Sequence, residues 1–434
     1  MSAPDRRRLS LFARRADNEE PIAAIDIGTS KIACALARRD PNHPLGFSLS
    51  AFAQTPSRGV RAGLVSDLDG VERCIRLVLS QIEQQSGHAV EALTACASGL
   101  ALCPHRVAVT TPIAGKLVDN RAVSRALHLA TKKAQTTDRS ILHTIPAGYR
   151  VDQGPNLRDP RSVSGSQLQT QVLIATAPAT SLAQLCLPIT RIDLPEPQFV
   201  APALAAGVSV LAEEEREGGA LIMDWGAGTT SFGLFEDGVL VHLDNIALGG
   251  AHITADIAAA IRGAALASER TKLQWADVSV PTRTDATEVE IARLGADGRL
   301  EAGKAKIGDI HLAAGARAEE ILELLRDRIA GAGIQLSKRS KIVLTGGGSQ
   351  LKGLQSLAEH VLGGQVRLAS APILLPDRAA AGPGLSALLG TVMWRTGSVP
   401  DSARRRLAPV LADEEDGAQG QNVGNIVQWL KDYF

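Results

Sequence analysis

Aromatic residues, excess charge and long apolar runs are scarce in this chain of 434 residues, and each scarcity argues against a class of function. Phe, Trp and Tyr make up only 3% of the chain, which disfavours a surface of aromatic side chains stacked on nucleic-acid bases. Lys and Arg together number 46, as do Asp and Glu, so the chain has no excess of positive charge with which to displace counterions from phosphates. We therefore expect no nucleic-acid partner. No stretch approaches the roughly 20 apolar residues that a membrane-spanning helix needs.

Cysteine is also rare, and its spacing excludes two kinds of scaffold. The five cysteines are scattered and contain no CxxC pair; they are Cys34, Cys74, Cys96, Cys103 and Cys186. An odd, scattered set is typical of reduced thiols in a cytoplasmic protein and argues against a disulfide framework or a zinc site. The chain also lacks a GxxxxGK[ST] sequence, so it is not a P-loop enzyme.

The chain does contain one motif twice. The segments IDIGTSK (Ile25–Lys31) and MDWGAGTTS (Met223–Ser231) share an apolar residue, Asp, an apolar residue and Gly, followed by small hydroxyl residues. Each lies between two β-rich runs, so each predicts a hairpin tip. Self-similarity at this distance predicts two related halves. A third glycine-rich segment, KIVLTGGGSQLKGL, predicts a strand, a triple-glycine turn and a helix.

These glycine-rich turns have the composition of a polyphosphate site. Backbone N–H groups can converge on phosphate oxygens where no Cβ intrudes. One carboxylate precedes each hairpin tip, and Mg²⁺ prefers one or two carboxylates together with phosphate and water. Each turn alone is more typical of a plain tight hairpin, whereas the three together predict a nucleotide site. Its candidate residues are Asp26, Gly28, Thr29 and Ser30 in the first turn, Asp224, Gly226, Gly228, Thr229 and Thr230 in the second, and Gly346, Gly347 and Gly348 in the third.

The remaining segments predict supporting elements. Apolar residues at helical spacing predict a helix from Asp67 to Gly87. Residues 104–178 predict an inserted small α+β subdomain with short alternating strands and a helix near Arg121–Ala134. Residues 1–19 predict a disordered basic tail, and the charged segment 399–421 predicts a flexible linker.

The segment after that linker, residues 422–434, predicts an amphipathic helix. At 100° per residue its apolar side chains fall on one arc of about 160°. Its last twelve residues would span only ~18 Å, which is too short to cross a membrane. Two interpretations remain open, a tail that docks on the domain and an anchor that lies in the membrane surface. The candidate membrane residues are Val423, Ile426, Val427, Trp429, Leu430, Tyr433 and Phe434.

The two Asp-Gly hairpins and the TGGGSQLKGL turn resemble the phosphate-1, phosphate-2 and adenosine motifs of the actin, Hsp70 and sugar-kinase superfamily. Within it, the chain resembles the FtsA family of bacterial cell-division proteins over nearly its whole length. Matching stretches include GVRAGLVSDLDGVERCIRLVL, ILHTIPAGYRVD, the later SVSGSQLQTQV and the C-terminal amphipathic helix. The resemblance implies an α/β, actin-like two-lobed ATPase fold that holds ATP and Mg between its lobes. The implied divisions are 20–103 with 179–215 and 376–398 for lobe I, 104–178 for the insertion and 216–375 for lobe II.

The resemblance adds further candidate site residues, and the chain departs from the family pattern at two places. It carries Lys31 to phosphate-1, and it adds Gly249, Gly250, Glu269, Lys272 and Ser349 to the nucleotide site. Ala227 replaces the middle glycine of the family's DxGGGT motif, and because alanine resists positive φ we expect the turn to differ or to bind more weakly. The stretch FVAPALAAG (Phe199–Gly207), where a water-positioning residue is expected, contains no acid, amide or histidine. We therefore expect slow or negligible ATP hydrolysis.

The resemblance also implies partners and a location. They are the C-terminal peptide of the tubulin-like division protein FtsZ, further copies of the chain in a filament, later division proteins, and the inner face of the cytoplasmic membrane at the division site. The helix ARAEEILELLRDRI, with apolar residues at Ile321, Leu324 and Leu325, is a candidate docking surface for FtsZ, although an ordinary surface helix has the same pattern. Residues 104–178 are the candidate contact for later division proteins and neighbouring protomers. Two alternatives are an actin-like adaptor of pilus assembly and a soluble metabolic or chaperone ATPase of the same superfamily.

Overall fold

The computed structural model describes residues 21–397 apart from positions 41, 114, 116, 280–285, 295–298, 337–338, 378 and 380. Three predicted parts lie outside the described residues: the basic segment 1–19, the linker 399–421 and the amphipathic helix 422–434. Within the described ranges, no helix is both long and apolar enough to cross a membrane.

The first half of the chain builds a five-stranded sheet with helices packed on it. Its strand order is β10-β6-β1-β2-β3, in which β1, β6 and β10 run parallel and β1, β2 and β3 form an antiparallel meander. The elements are β1 (Ile22–Ile27), β2 (Lys31–Arg39), β3 (Phe47–Pro56), the short pair β4 (Val60–Arg61) and β5 (Leu64–Val65), α1 (Leu68–Ser86) and β6 (Thr94–Ala97).

The predicted helix after the first meander is confirmed, and its ends have clear causes. The Asp67 side chain accepts a hydrogen bond from the Gly70 backbone N–H, which caps the first turn of α1. Gly87 ends the helix in the left-handed region at φ 69°, and its N–H donates to the Glu83 carbonyl. The buried face of α1 carries the apolar residues that predicted it, among them Val71, Ile75 and Val78.

A small α+β subdomain is inserted after the first sheet's second parallel strand. It is a three-stranded antiparallel sheet of order β7-β9-β8 with one helix on its face. Its elements are β7 (Cys103–Pro112), α2 (Asn120–Ala134), β8 (Arg139–Val151) and β9 (Gln167–Pro178). The prediction of short strands is wrong, because these strands have 10, 13 and 12 residues. Bulges between Ile141 and His143 and between Pro146 and Gly148 let β8 continue past a proline and a glycine.

The second half repeats the layout of the first. After α3 (Ala179–Thr190), β10 (Gln198–Val200), α4 (Pro202–Val210) and α5 (Glu213–Gly218), a second five-stranded sheet has the order β13-β12-β11-β16-β17. Here too one antiparallel meander, β11 to β13, continues into two parallel strands. The predicted relation of the two halves is thereby confirmed at the level of topology. The remaining elements are β11 (Ala220–Trp225), β12 (Thr230–Glu236), β13 (Val239–Ile246), α6 (Gly250–Ile261), α7 (Ala265–Trp275), β14 (Glu288–Leu294), β15 (Leu300–Lys306), α8 (Ile307–Gly331), β16 (Lys341–Thr345), α9 (Leu354–Leu362), β17 (Gln365–Leu368) and α10 (Ser386–Thr396).

Helices α4 and α10 join the halves into one core. Nearly every side chain of both helices is buried, and they pack in the same hydrophobic cluster as Ile222 and Val343 of the second sheet. The two helices approach at backbone distance, since a Cβ added to Gly390 of α10 would lie 1.8 Å from the Ala205 carbonyl oxygen of α4. The N-terminal ends of both helices face the space between the two sheets.

Candidate nucleotide site

The predicted glycine-rich turns meet around one cavity of about 730 Å³ between the two sheets. The hairpin tips β1–β2 and β11–β12 both line it, and the turn after β16 forms a further wall. Fourteen of the predicted site residues line it: Asp26, Gly28, Thr29, Ser30, Lys31, Asp224, Gly226, Gly228, Gly250, Glu269, Lys272, Gly346, Gly347 and Gly348.

The second hairpin tip is made of glycine because a neighbouring side chain and its own backbone lie against it. A Cβ on Gly228 would lie 2.2 Å from the Thr29 Oγ1 atom of the first tip, and a Cβ on Gly226 would lie 2.9 Å from the Thr229 carbonyl oxygen. Neither glycine has a positive φ. Close approach, and not a left-handed backbone, is therefore the reason for glycine at both positions.

Alanine at position 227 needs no left-handed backbone either, while its effect on nucleotide binding stays a prediction. Ala227 is not among the described non-glycine residues with positive φ. Two backbone hydrogen bonds hold this turn against the start of α6. The Gly226 carbonyl accepts from the Gly250 N–H at 3.0 Å, and the Ala227 carbonyl accepts from the Ala251 N–H at 2.7 Å. Because the turn does not require the left-handed region here, alanine fits it without strain.

The Thr29 hydroxyl is held in place by a neighbouring tight turn. Its Oγ1 accepts a hydrogen bond of 3.0 Å from the Gly63 backbone N–H, at the turn between β4 and β5. A Cβ on Gly63 would lie 2.3 Å from the Ser98 carbonyl oxygen, and Gly63 has φ 76°. The bond leaves the hydroxyl proton of Thr29 able to donate into the cavity.

Two aspartates and one lysine set the charge in the part of the cavity that the two hairpin tips form. Burial raises the pKa of Asp26 to about 6, against the opposing attraction of Lys31. Burial also raises the pKa of Asp224 to about 7, and the nearby Asp26 carboxylate adds to that rise while Lys31 opposes it. For Lys31 burial lowers the pKa, although Asp26 and Asp224 both favour its charged form. Two confined carboxylates with a single cation between them leave room for a second positive charge.

A hydrogen-bonded group from two helices forms another wall. Lys272 of α7 donates to the Gly250 carbonyl at 3.1 Å and to the Thr254 Oγ1 atom at 2.9 Å, and pairs with Glu269 at 2.8 Å. The Thr254 hydroxyl also donates to Glu269. The acid and the lysine predicted to flank ribose and base are thus fixed to each other and to the first turn of α6.

In the triple-glycine turn, Gly346 is required for its left-handed backbone conformation, and Gly348 is required because a side chain there would collide with a neighbour. Gly346 has φ 88°, and a Cβ there would lie 2.4 Å from the Asp224 Oδ1 atom. A Cβ on Gly348 would lie 2.3 Å from the Cδ1 atom of the fully buried Trp225. The prediction of a helix N-terminus at this turn needs correction: a short 3-10 helix spans Gly347–Gln350, and α9 begins only at Leu354.

Four predicted site residues do not line the cavity. Thr229 and Thr230 are buried, and the Thr230 hydroxyl donates to the Leu248 carbonyl at 2.8 Å. The Ser349 hydroxyl donates to the Gly346 carbonyl at 2.7 Å. A Cβ on Gly249 would lie 2.5 Å from the Gly226 carbonyl oxygen. The assignment of these four residues to the nucleotide site therefore rests on the resemblance alone and stays a prediction.

Several lining residues were not predicted. Pro202 and Ala387 come from the first turns of α4 and α10, and Gly384 lies so close that its Cβ would be 3.2 Å from the Lys31 Nζ atom. The sequence around these residues does not resemble a phosphate-binding turn, and only the three-dimensional packing brings them to the cavity. The others include Ser98, Ala251, Ile253, Leu266, Leu273, Gln274, Gln350 and Lys352.

The apolar stripe of the candidate docking helix faces mostly inward. Within α8, Ile321 and Leu325 are fully buried in the core of the second half, and of the three stripe residues only Leu324 is exposed. The apolar stripe is therefore the packing face of α8. The role of this helix as a docking surface for FtsZ stays a prediction, and Leu324 is the stripe residue exposed for it.

Comparison with known protein families matches two regions of the chain. A family model described as "Cell division protein FtsA" matches residues 221–390. A model described as "SHS2 domain inserted in FTSA" matches residues 104–176, the inserted subdomain.

Curated relatives and solved structures agree with these matches. The cell division protein FtsA of Agrobacterium fabrum is 30% identical over 95% of both chains, and that of Escherichia coli K12 is 25% identical over 82% of this chain and 85% of its own. A chain of the PilM-PilN type IV pilus biogenesis complex superposes with a TM-score of 0.60 at 18% identity, covering 87% of this chain and 98% of that one. MreB5 of Spiroplasma citri bound to ADP superposes with a TM-score of 0.51 at 12% identity, covering 88% and 98%. The predicted actin-like fold with an inserted subdomain is thereby confirmed.

Proposed function

The chain belongs to the FtsA family of cell-division proteins, and from this membership we propose that it binds ATP, self-associates on the cytoplasmic face of the membrane and anchors FtsZ there. The observation that supports the nucleotide part most strongly is the meeting of three glycine-rich turns around one cavity. Backbone N–H groups at such turns suit a polyphosphate.

The residues of the cavity fit an adenine nucleotide. Gly28, Gly226 and Gly228 offer backbone without side chains, and Thr29, Ser30 and Lys31 offer a hydroxyl or an ammonium donor. At the opposite wall, Glu269 and Lys272 would border the ribose and base. The apolar side chains of Leu266 and Leu273, both 74% exposed in the structure, would gain burial against a flat base.

The two aspartates fit a magnesium ion. Mg²⁺ is held by one or two carboxylates, phosphate oxygens and water, and Asp26 and Asp224 supply such carboxylates beside the phosphate turns. A bound cation would favour their charged forms and offset the burial that raises their pKa. In a magnesium complex the ion would shield charge on the phosphates.

Hydrolysis is proposed to be slow or negligible. From α4 the cavity is lined by Pro202, which has no side-chain donor or acceptor to orient a water. This feature also disfavours a metabolic ATPase or sugar kinase, which needs a base there.

The membrane and partner functions are proposed from family membership. The helix 422–434 would lie in the membrane surface, with FtsZ held through its C-terminal peptide and later division proteins held through the inserted subdomain. One short helix is a weak anchor, whereas many copies in a filament raise its effective concentration. Filament formation and membrane binding should therefore be coupled.

The pilus-adaptor alternative has weaker support. The superposition on the pilus biogenesis chain has only 18% sequence identity and so reports the shared fold. The FtsA relatives reach 30% identity over 95% of the chain.

Removal of the last thirteen residues is expected to abolish membrane binding. The full chain should sediment with lipid vesicles, and more strongly with Mg-ATP because assembly multiplies the anchors. A chain that ends at Gln421 should stay in the supernatant with or without Mg-ATP. Vesicle co-sedimentation of both chains measures this.

Two controls make that experiment decisive. The truncated chain should unfold at the same temperature as the full chain, because a helix that serves as a membrane anchor does not pack on the domain. A charge substitution within the apolar face, Trp429→Glu, should act like the truncation. Equal sedimentation of all three chains would contradict the anchor and favour a tail docked on the domain.

A further inference from the structure

The inserted subdomain reaches the walls of the nucleotide cavity through the side chain of His143. This histidine lies in β8, directly after the bulge between Ile141 and His143, and only 1% of it is exposed. Its Nε2 atom accepts a hydrogen bond of 2.9 Å from the Ala201 backbone N–H. Its ring also meets the Trp394 ring edge-on, with centroids 6.3 Å apart and planes at 73°.

Both partners of His143 belong to segments that also line the cavity. Ala201 directly precedes α4, and Pro202, the first residue of that helix, lines the cavity. Trp394 lies in α10, whose residue Ala387 lines the cavity as well. Because α4 and α10 touch at Gly390, a shift of either helix is passed to the other.

The chemistry of the contact requires a neutral imidazole. Burial lowers the pKa of His143 to about 3, so at neutral pH the ring carries no charge and Nε2 can accept. The first turn of α4 has no side-chain cap, and Ala201 is fully buried. Without His143, the Ala201 N–H would be a buried donor with no acceptor.

We propose that His143 is a positioning residue that couples occupancy of the nucleotide cavity to the order of the inserted subdomain. It holds the first turn of α4 against the cavity, so a nucleotide that fixes this turn also fixes β8. By thermodynamic reciprocity, anything that orders the inserted subdomain then raises nucleotide affinity. This inference rests on the proposed binding of ATP.

Other contacts of the inserted subdomain supply a control. Just before the inserted subdomain, the Asn245 side chain of β13 accepts from the Leu102 backbone N–H at 3.2 Å, and within the subdomain Arg158 pairs with Glu217 of α5. None of these four residues lines the cavity. Glu217→Gln weakens the attachment of the inserted subdomain to the second half and leaves the contacts of His143 with Ala201 and Trp394 unchanged.

The test compares four full-length chains: wild type, His143→Leu, His143→Gln and Glu217→Gln. Calorimetric titration with Mg-ATP gives affinity, and hydrogen exchange of residues 103–178 with and without Mg-ATP gives the response of the inserted subdomain. We expect ATP to slow exchange in β8 of the wild type. The leucine variant should lose about fivefold or more in affinity and lose this response. The glutamine variant, whose amide oxygen can accept the same bond, should stay within about twofold, as should Glu217→Gln.

A second variant tests the same bond from the donor side. Ala201→Pro removes the N–H, and the native φ of −68° suits proline. It should reproduce the effect of His143→Leu, and adding His143→Leu to it should cost little more. This arm keeps the test valid if the leucine variant does not fold.

The outcomes separate the two proposals. Wild-type affinity and response in both His143→Leu and Ala201→Pro would overturn the coupling. Equal losses in the leucine and glutamine variants would also overturn it, because His143 would then only fill space. If the wild type itself does not bind ATP, the proposed function fails and the inference fails with it.

Discussion

Asp224→Asn is expected to make the protein more stable at pH 8 while weakening its affinity for Mg-ATP by about tenfold or more. Burial raises the pKa of this carboxyl to about 7, from 3.8, so above pH 7 the folded state carries a poorly solvated charge. The unfolded chain ionises freely, so stability falls as pH rises from about 4 to 7. Asparagine removes this cost, which is on the order of 4 kcal/mol for a shift of about three pKa units, but it is a poorer ligand for Mg²⁺.

The sign of the pH dependence is the specific part of this prediction. Thermal unfolding should show the variant ~2–5 °C above the wild type at pH 8, and the difference should shrink towards pH 4. The matched control is Asp237→Asn, in the turn between β12 and β13, where φ is 51° and asparagine is equally well tolerated. That control should leave Mg-ATP affinity unchanged. An Asp224→Asn protein that is less stable at pH 8, or that binds Mg-ATP like the wild type, would contradict the account of the carboxylate pair.

Gly390→Ala is expected to destabilise the protein by about 3 kcal/mol or more. The new Cβ would lie 1.8 Å from the carbonyl oxygen of Ala205 and 2.4 Å from its carbonyl carbon. Both atoms belong to the backbone of α4, so no side chain can rotate away and the two helices must separate. Urea unfolding followed by circular dichroism measures the loss.

Gly315→Ala is the matched control for that substitution. Gly315 also lies within a helix, α8, but a Cβ there meets no atom within 4 Å. Alanine is the better helix former, so this change should stabilise the protein by ~0.5–1 kcal/mol. Similar stabilities for the two variants would show that α4 and α10 do not approach as closely as the structure has them.

The hairpins of the site could be predicted from sequence because their causes are local. Asp26, Gly28 and the following hydroxyl residues lie within a few positions of one another, and the repeat at Asp224 supports the same interpretation. The helix of residues 68–86 was predictable for the same reason, since its cap and its apolar spacing are contained in its own segment.

The parts that escaped prediction depend on packing between distant segments. Pro202, Gly384 and Ala387 reach the cavity only because α4 and α10 lie between the two sheets. Nothing in the sequence distinguishes Gly390 from any other glycine in a helix, because its requirement comes from the close approach of the Ala205 backbone. Ile321 and Leu325 show an apolar stripe that fits a docking face as well as a core face, and only their burial decides between them.

Titration of the full chain with ATP in the presence of Mg²⁺ tests the central claim most directly. The account predicts one site per chain, a loss of affinity when Mg²⁺ is removed by chelation, and a further loss as the pH falls from 8 to 6. That last loss follows because protons then occupy carboxyls whose pKa values lie at about 6 and about 7. Absence of saturable binding at pH 8 with Mg²⁺, or binding that Asp224→Asn leaves unchanged, would contradict the assignment of this cavity to a magnesium nucleotide.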